Sequence, residues 1–211
     1  MKIKTMVFNP FSSNTYLIWD EKSKDAIIID PGCFNEEEEK ELNDILEKEK
    51  LNVKYLFNTH CHIDHIFGNV FILEKFTPEF YIGKEDEFLL DGAIEQAERF
   101  GMKIKLIKYE KKYFSENKII KFGEMQIIPI HTPGHSPGSF SFYFKNENIC
   151  FTGDVLFLES IGRTDLWGGN YDILRNSIVE KLFKLPDDTQ ICPGHSEMTT
   201  IGYEKKYNSF V

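Results

Sequence analysis

Seven consecutive residues, Thr59-His60-Cys61-His62-Ile63-Asp64-His65, bring three imidazoles and one carboxylate into a single loop, directly after the apolar run Tyr55-Leu56-Phe57. Nitrogen and oxygen donors at this density suit metal binding, and the carboxylate could also orient a water for attack. Side chains alternate along an extended segment, so His60, His62 and Asp64 point to one side. His65 swings alongside if it opens a helix, while Cys61 and Ile63 point away. Cations in the gap relieve the crowding, and a pair of metals fits four ligands better than one.

A lone His after a strand is more often a packed or hydrogen-bonded residue than a ligand. Here the pattern recurs. The chain has six His, and five of them stand in such contexts. The second loop is His131-Thr132-Pro133-Gly134-His135-Ser136-Pro137-Gly138-Ser139, whose Pro and Gly force a tight turn that projects His135 from a strand end. His131, at the end of the strand itself, reads as a hydrogen-bonding or structural residue. Asn148–Phe151 ends in Thr152-Gly153-Asp154, which places a carboxylate at the same edge. Pro193-Gly194-His195 repeats the Pro-Gly-His of 133 to 135, an echo that hints at two related halves and is too short to establish a duplication. The glycine-punctuated run Ile161 to Gly169 carries Arg163, the only Arg outside helical segments.

The elements that must hold these loops alternate between the two hydrophobic periods. Ile3–Phe8, Thr15–Trp19 and Ala26–Ile29 read as an antiparallel meander closed by the turn Asp30-Pro31-Gly32. Asn35 caps a helix whose Glu36 to Glu39 run reads as a solvated first turn, with Leu42, Ile45 and Leu46 as its stripe. Val53–Phe57 delivers the histidine loop, and His65–Phe76 follows as a helix. Glu79–Ile82 is a short strand, and Lys84–Phe100 a charged helix with Phe88, Leu89, Ile94 and Ala97 inward and Gly101 as its stop. A Lys- and Tyr-rich connector leads to a hairpin of Lys118–Phe122 and Met125–Ile130. Ser139–Phe144 and Asn148–Phe151 are further strands. Asp172–Lys184 is an amphipathic helix with Ile173, Leu174, Ile178 and Leu182 inward, and Thr189–Cys192 is the last strand.

A chain of 211 residues can bury a substantial core, and 41% hydrophobic residues with 19 Phe exclude disorder. The net charge of −9 argues against a surface that tracks nucleic-acid phosphates. Polar residues from Asn9 to Asn14 interrupt any signal-like start, and no apolar run reaches bilayer-spanning length, so no membrane partner and a cytoplasmic location are expected. Cys33, Cys61, Cys150 and Cys192 are scattered without paired spacing and read as reduced, mostly buried thiols.

The ordered set His60-x-His62-x-Asp64-His65, Pro133-Gly134-His135, Gly153-Asp154 and Pro193-Gly194-His195 resembles the metallo-β-lactamase fold superfamily across nearly the whole chain. That resemblance implies an α/β fold, an αββα four-layer sandwich with metals at one edge between the sheets. Within the superfamily the chain is most similar to glyoxalase II-type hydrolases, the hydroxyacylglutathione hydrolases. In those terms His60, His62 and His135 would hold one metal, Asp64, His65 and His195 the second, and Asp154 would bridge them. The run Thr199 to Glu204 and the ending near Asn208-Ser209-Phe210 resemble the short bacterial form, so one domain over 1–211 without a C-terminal helical domain is expected. Arg163 fits the basic residue of the family's glutathione site, yet Asp165 stands where a Tyr would follow it, and Glu197 replaces a second Tyr after the last His.

The implied cofactors are two divalent metal ions, zinc by default, with iron or manganese as other first-row candidates. Two such ions lower the pKa of a bridging water towards about 7, which would supply hydroxide to attack a small-molecule thioester such as S-lactoylglutathione. His60, His62, Asp64 and Asp154 are then the catalytic set. A thiolate leaves without a general acid because a thiol pKa is about 8.5. The competing readings are a persulfide dioxygenase with a single iron, which shares the histidine loop and a Gly-Arg-Thr-Asp run, and another ester or lactone hydrolase of the fold. A secreted β-lactamase, a nuclease and a non-catalytic scaffold fit less well. Oligomeric state is not encoded in any motif.

Overall fold

The computed structural model describes residues 1–105, 108–116 and 118–211. Strands β1 (Lys2–Phe8), β2 (Ser13–Trp19) and β3 (Asp25–Ile29) form the expected antiparallel meander. Helix α1 (Glu36–Glu49) then crosses over to β4 (Asn52–Phe57), which runs parallel to β3. The Asn35 side chain accepts from Glu37 N and Glu38 N at 3.0 Å, as the capping pattern predicts. The acidic turn is only partly solvated. Glu38 turns back, accepting from Asn9 N at 3.0 Å and Phe34 N at 2.7 Å.

After β4 come α2 (Ile63–Ile66) and α3 (Asn69–Phe76), in place of the single helix His65–Phe76; the chain kinks at Phe67-Gly68, where Gly68 N bonds Pro31 O. Beyond β5 (Glu79–Ile82), the predicted helix 84–100 is three pieces: a 3₁₀ turn at Lys84–Asp86, α4 (Glu87–Asp91) and α5 (Ala93–Arg99), broken at Gly92. The break rotates the inner face. Leu89, Ala93, Gln96 and Ala97 are buried, whereas Phe88 and Ile94 are 49% and 48% exposed, against expectation. In the Lys- and Tyr-rich connector, positions 106, 107 and 117 lie outside the described residues, and Lys112–Tyr113 adds a short strand β6 beside β5.

The second sheet holds β7 (Ile120–Phe122), β8 (Met125–His131), β9 (Phe140–Phe144), β10 (Ile149–Gly153), β13 (Gln190–Pro193) and β14 (Thr199–Thr200) in the order β14-β13-β10-β9-β8-β7. A small ribbon, β11 (Leu156–Phe157) with β12 (Ser160–Ile161), lies between β10 and β13 in sequence. Helix α6 (Tyr171–Glu180) and a 3₁₀ turn at Leu182–Lys184 follow it, and α7 (Ile201–Tyr207) comes after β14. Ile173 is 48% exposed rather than inward, because α6 turns Leu174 and Ile178 to the sheet instead.

Strand alternation sorts the core into layers. Leu17, Ile28 and Leu56 face α1, α3 and α5, whereas Tyr16, Ile18, Ile27, Ile29 and Phe57 face the other sheet. There they meet Phe140, Phe142, Phe144 and Phe151, while Tyr143 and Cys150 turn to α6. The result is the predicted αββα sandwich. Each fully buried Phe or Ile contributes about 1.5–3 kcal/mol, which makes the inter-sheet layer the firm floor on which the loops stand. All four cysteines are free and buried. Among the described residues, no helix is long and apolar enough to cross a membrane.

Candidate metal centre

Strands β4, β8, β10 and β13 end at one edge of the sandwich, and each releases its metal-type side chains there. Phe57 ends β4 in the core, and Cys61 and Ile63 are buried in the helix-side apolar layer, so His60, His62 and Asp64 are left facing the edge. His65 joins them through the short α2. The loop is pinned by an amide pair: Asn69 Nδ2 donates to Asn58 Oδ1 at 2.8 Å, and Asn58 Nδ2 donates to His65 O at 3.0 Å.

Two clusters result. His60, His62 and His135 bring one ring nitrogen each within 4.8 Å of one another, and a carboxylate oxygen of Asp64 and one ring nitrogen each of His65 and His195 lie equally close. His62 Nδ1 is 2.7 Å and His60 Nε2 3.1 Å from His135 Nε2. In the other cluster His195 Nε2 is 3.0 Å from Asp64 Oδ2 and 3.3 Å from His65 Nε2. Asp154 reaches both, with Oδ2 at 3.6 Å from His135 Nε2 and 3.5 Å from His195 Nε2.

The outward ring nitrogens decide where the protons are. Asp30 Oδ2 accepts from Thr59 Oγ1 at 2.6 Å, so the Thr59 hydroxyl accepts from His60 Nδ1 at 3.0 Å. His65 Nδ1 donates to Asp30 Oδ2 at 3.1 Å, His135 Nδ1 to Arg163 O at 2.7 Å, and His195 Nδ1 to Ser12 O at 3.3 Å. In the neutral ring each of these four histidines therefore turns an Nε2 lone pair inward. Lone pairs facing each other at 3.1 Å and 3.3 Å repel, unless a cation sits between them. Tetrahedral coordination at about 2.0–2.1 Å places ligand nitrogens roughly 3.3 Å apart, which matches these separations. Asp154 Oδ1 is buried without a hydrogen-bond partner, and Gly194 packs so closely on Asp154 and His65 that a side chain there would enter the gap. The donor set thus fits a pair of divalent ions.

Burial and the neighbouring imidazoles hold His60 well below the usual histidine pKa, and burial pushes His62 down to about 3. On the other side burial opposes the charges, yet the carboxylates of Asp64 and Asp154 raise His65. His195 is raised in the same way, with burial opposing and Asp154 and Asp64 prevailing. Burial likewise works against Asp64 and Asp154, but His65 and His195 hold Asp64 well below the carboxylate range and Asp154 at about 2.

Two buried carboxylates outside the clusters organise them, and sequence reasoning assigned neither to the site. Asp30 was read as a turn residue. It accepts from Thr59 N, Thr59 Oγ1 and His65 Nδ1, which makes it a hydrogen-bond hub although it lies near His60 and His65. Its position at a strand end before Pro-Gly is the same signal that marked the ligand loops. Asp86, hidden in the predicted long helix, clips the two histidine loops together: it accepts from Cys61 N at 3.0 Å, Ser136 Oγ at 2.7 Å and Gly138 N at 2.6 Å. Burial raises its pKa despite these donors. No local pattern announces it.

His131 stays outside both clusters, donating from Nε2 to Pro137 O at 2.9 Å and stacking on Phe140, as expected. Arg163 lines the cavity beside the centre, with its guanidinium engaged by Asp165 through two bonds of 2.9 Å. That cavity, about 290 Å³, is bounded by His62, Asp64, His135, Asp154 and His195 on one side and by aromatic and aliphatic side chains on the other.

Residues 8–195 match the family model of the metallo-β-lactamase superfamily. The chain belongs to that superfamily. A curated member, the hydroxyacylglutathione hydrolase GloC of Haemophilus influenzae, is 39% identical over 213 residues, spanning 100% of this chain and 98% of GloC. Among solved superfamily structures, the BLEG-1 B3 metallo-β-lactamase superposes with a TM-score of 0.90 at 35% identity over 99% of both chains. TTHA1623 in a di-iron-bound form gives 0.86 at 30% identity over 100% of both. Superfamily membership and the His/Asp clusters together support a metal-dependent hydrolase with a dinuclear centre.

Proposed function

We propose that the chain hydrolyses thioesters of the glutathione class, S-lactoylglutathione among them, at a two-metal centre. The observation that carries this reading is Asp154, whose one carboxylate oxygen lies beside both clusters. His60, His62 and His135 would hold one ion, Asp64, His65 and His195 the other, and Asp154 would be shared. The similarity to GloC supports the substrate class.

When bound, a pair of divalent ions would bring the pKa of a nearby water towards about 7 and stabilise charge on a carbonyl oxygen. The chain supplies the rest. Asp30 and Arg163 O fix the ring orientations of His65 and His135, and Asp64 stands where it can orient the attacking water. Among the described residues of the cavity lining, the titratable side chains are the metal-type His and Asp and Arg163, and no Lys, Tyr, Cys or Glu stands there to protonate a leaving group. A thiolate, with a typical pKa of about 8.5, leaves without such help, whereas an amine does not. This favours a thioester over the β-lactam suggested by the likeness to BLEG-1.

The test is elemental analysis of protein purified without chelator, together with thiol release from S-lactoylglutathione. Two metals per chain and thiol release lost in Asp154→Ala support the reading. One iron per chain with oxygen uptake on glutathione persulfide and no thioester cleavage overturns it, as does faster cleavage of a penicillin than of any thioester.

A further inference from the structure

The far wall of the cavity is apolar. Phe11, Phe100, Phe157, Ile161, Leu166 and Trp167 line it, and they come from five separate segments of the chain. Phe11 and Phe100 meet edge to face at 5.1 Å. Trp167 stands 6.1 Å from the His62 ring, with Arg99 at 5.0 Å over its indole. Its loop is closed by Gly169 N donating to Leu166 O at 2.9 Å and tied at its C-terminal end by Asn170 N donating to Gly134 O at 2.7 Å. A fixed apolar wall this close to the centre holds uncharged groups next to the scissile bond.

Charge recognition is weak on the same surface. Among the described residues of the lining, Arg163 supplies the one Lys or Arg side chain, and Asp165 already occupies its planar fork with both carboxylate oxygens. A guanidinium paired in this way presents little net charge to a carboxylate and has lost its bidentate face. Gln96, 4% exposed, spends its amide nitrogen on Leu89 O at 2.7 Å and Cys61 O at 3.3 Å, and its Oε1 is buried out of reach of a ligand. The lining therefore offers apolar contact and little unpaired charge, and so favours an arm that is uncharged near the sulfur.

We propose that this site recognises the part of the thiol arm nearest the sulfur as an uncharged segment, whose methylenes and acyl group pack on Phe11, Phe100 and Trp167. Carboxylates farther along the arm stay in solvent. The identity of the cleaved bond rests on the thioester reading above; the way the arm is held does not. A neutral arm such as N-acetylcysteamine is then as good as glutathione.

Uncleavable thioethers separate the two questions. S-hexyl-N-acetylcysteamine and S-hexylglutathione are titrated calorimetrically into the metal-loaded protein. The expected affinities agree within about threefold, and Trp167→Ala weakens both about tenfold, the scale of losing one buried aromatic contact. Asp165→Asn frees Arg163 and tightens only the glutathione ligand. Tenfold or greater preference for S-hexylglutathione, an unchanged affinity in Trp167→Ala, or no binding of either thioether overturns the proposal. If the thioethers behave as expected and neither matching thioester is cleaved, the reaction has been misread and the arm has not.

Discussion

His60, His62 and His135 meet as three buried rings, whereas Asp64, His65 and His195 set a carboxylate beside two imidazoles, and His195 keeps 24% of its side chain exposed. The chemistry diverges accordingly. Burial and mutual repulsion keep protons off His60 and His62, while Asp64 and Asp154 keep them on His65 and His195. Metal binding must displace any proton on a ligand. His60 and His62 are thus ready for a cation across the neutral range, whereas an ion at the acidic cluster would have to displace protons from His65 and His195. The more buried cluster should bind first and with the weaker pH dependence.

The largest test removes what the clusters share. Asp154→Ala should lower thioesterase turnover by roughly 10³-fold or more, the scale of removing a group that organises transition-state charge, and should reduce metal content below two per chain. Turnover within tenfold of wild type would show that the two clusters work independently. Single-cluster variants come next: His195→Ala should retain one ion per chain by elemental analysis, and His135→Ala should lose the tighter ion. Equal losses in both would erase the asymmetry.

The supporting carboxylates should differ as well. Asp30→Asn disturbs the partner of His65 and, through Thr59, that of His60, so it should weaken metal binding about 10–100-fold in chelator competition. Asp86→Ala leaves the Cys61 and Gly138 amides without their partner, at about 1–3 kcal/mol each, and should show first as a lower denaturant midpoint.

The smallest effect is the pH profile of the metal-free protein. His62 falls from 6.5 to about 3 on folding, so the unfolded chain binds the extra proton between those values and stability rises with pH up to about 6.5. His65 and His195 lie above 6.5, so the stability from their protons is complete below that pH and is lost as pH rises through their folded values. Melting curves of chelator-stripped protein should peak near pH 6.5, and His62→Ala should flatten the acid limb. A profile without a maximum would contradict the opposed protonation of the two clusters.

The ligand loops were legible because each packs its signal into a few residues: His60 to His65 by crowding, His135 and His195 by the rigid Pro-Gly turn, and Asp154 by its place after a strand. The sandwich was legible through the resemblance that the ordered ligand motifs carry, and the apolar residues on both faces of β2, β3 and β9 show why it packs as it does. Asp86 was not, since its partners Cys61 and Ser136 lie 25 and 50 positions away and only tertiary packing brings them together. The inner face of the region 84–100 was misjudged at Phe88 and Ile94 because one helical period was carried across Gly92, where the axis changes. At Ile173 a stripe one residue too wide was assumed at the start of α6. The self-pairing of Arg163 with Asp165 was also hidden, because residue identity says which charges are near each other and not which oxygens they face.

The last ligand loop is held by the start of the chain: Asn14 N donates to Gly194 O at 2.7 Å, Asn14 Nδ2 to Pro193 O at 2.9 Å, and Tyr16 OH to Pro193 O at 2.7 Å. On the ribosome, His135 and its supporting strands β8 and β9 are made while His195 is still about 60 residues from synthesis, a delay of several seconds at roughly 5–20 residues per second. A nascent chain therefore has every residue of the three-imidazole cluster before the second cluster exists. Asn14 and Tyr16 wait through that interval for the strand that they later fasten, so the cluster of Asp64, His65 and His195 is the last to be completed.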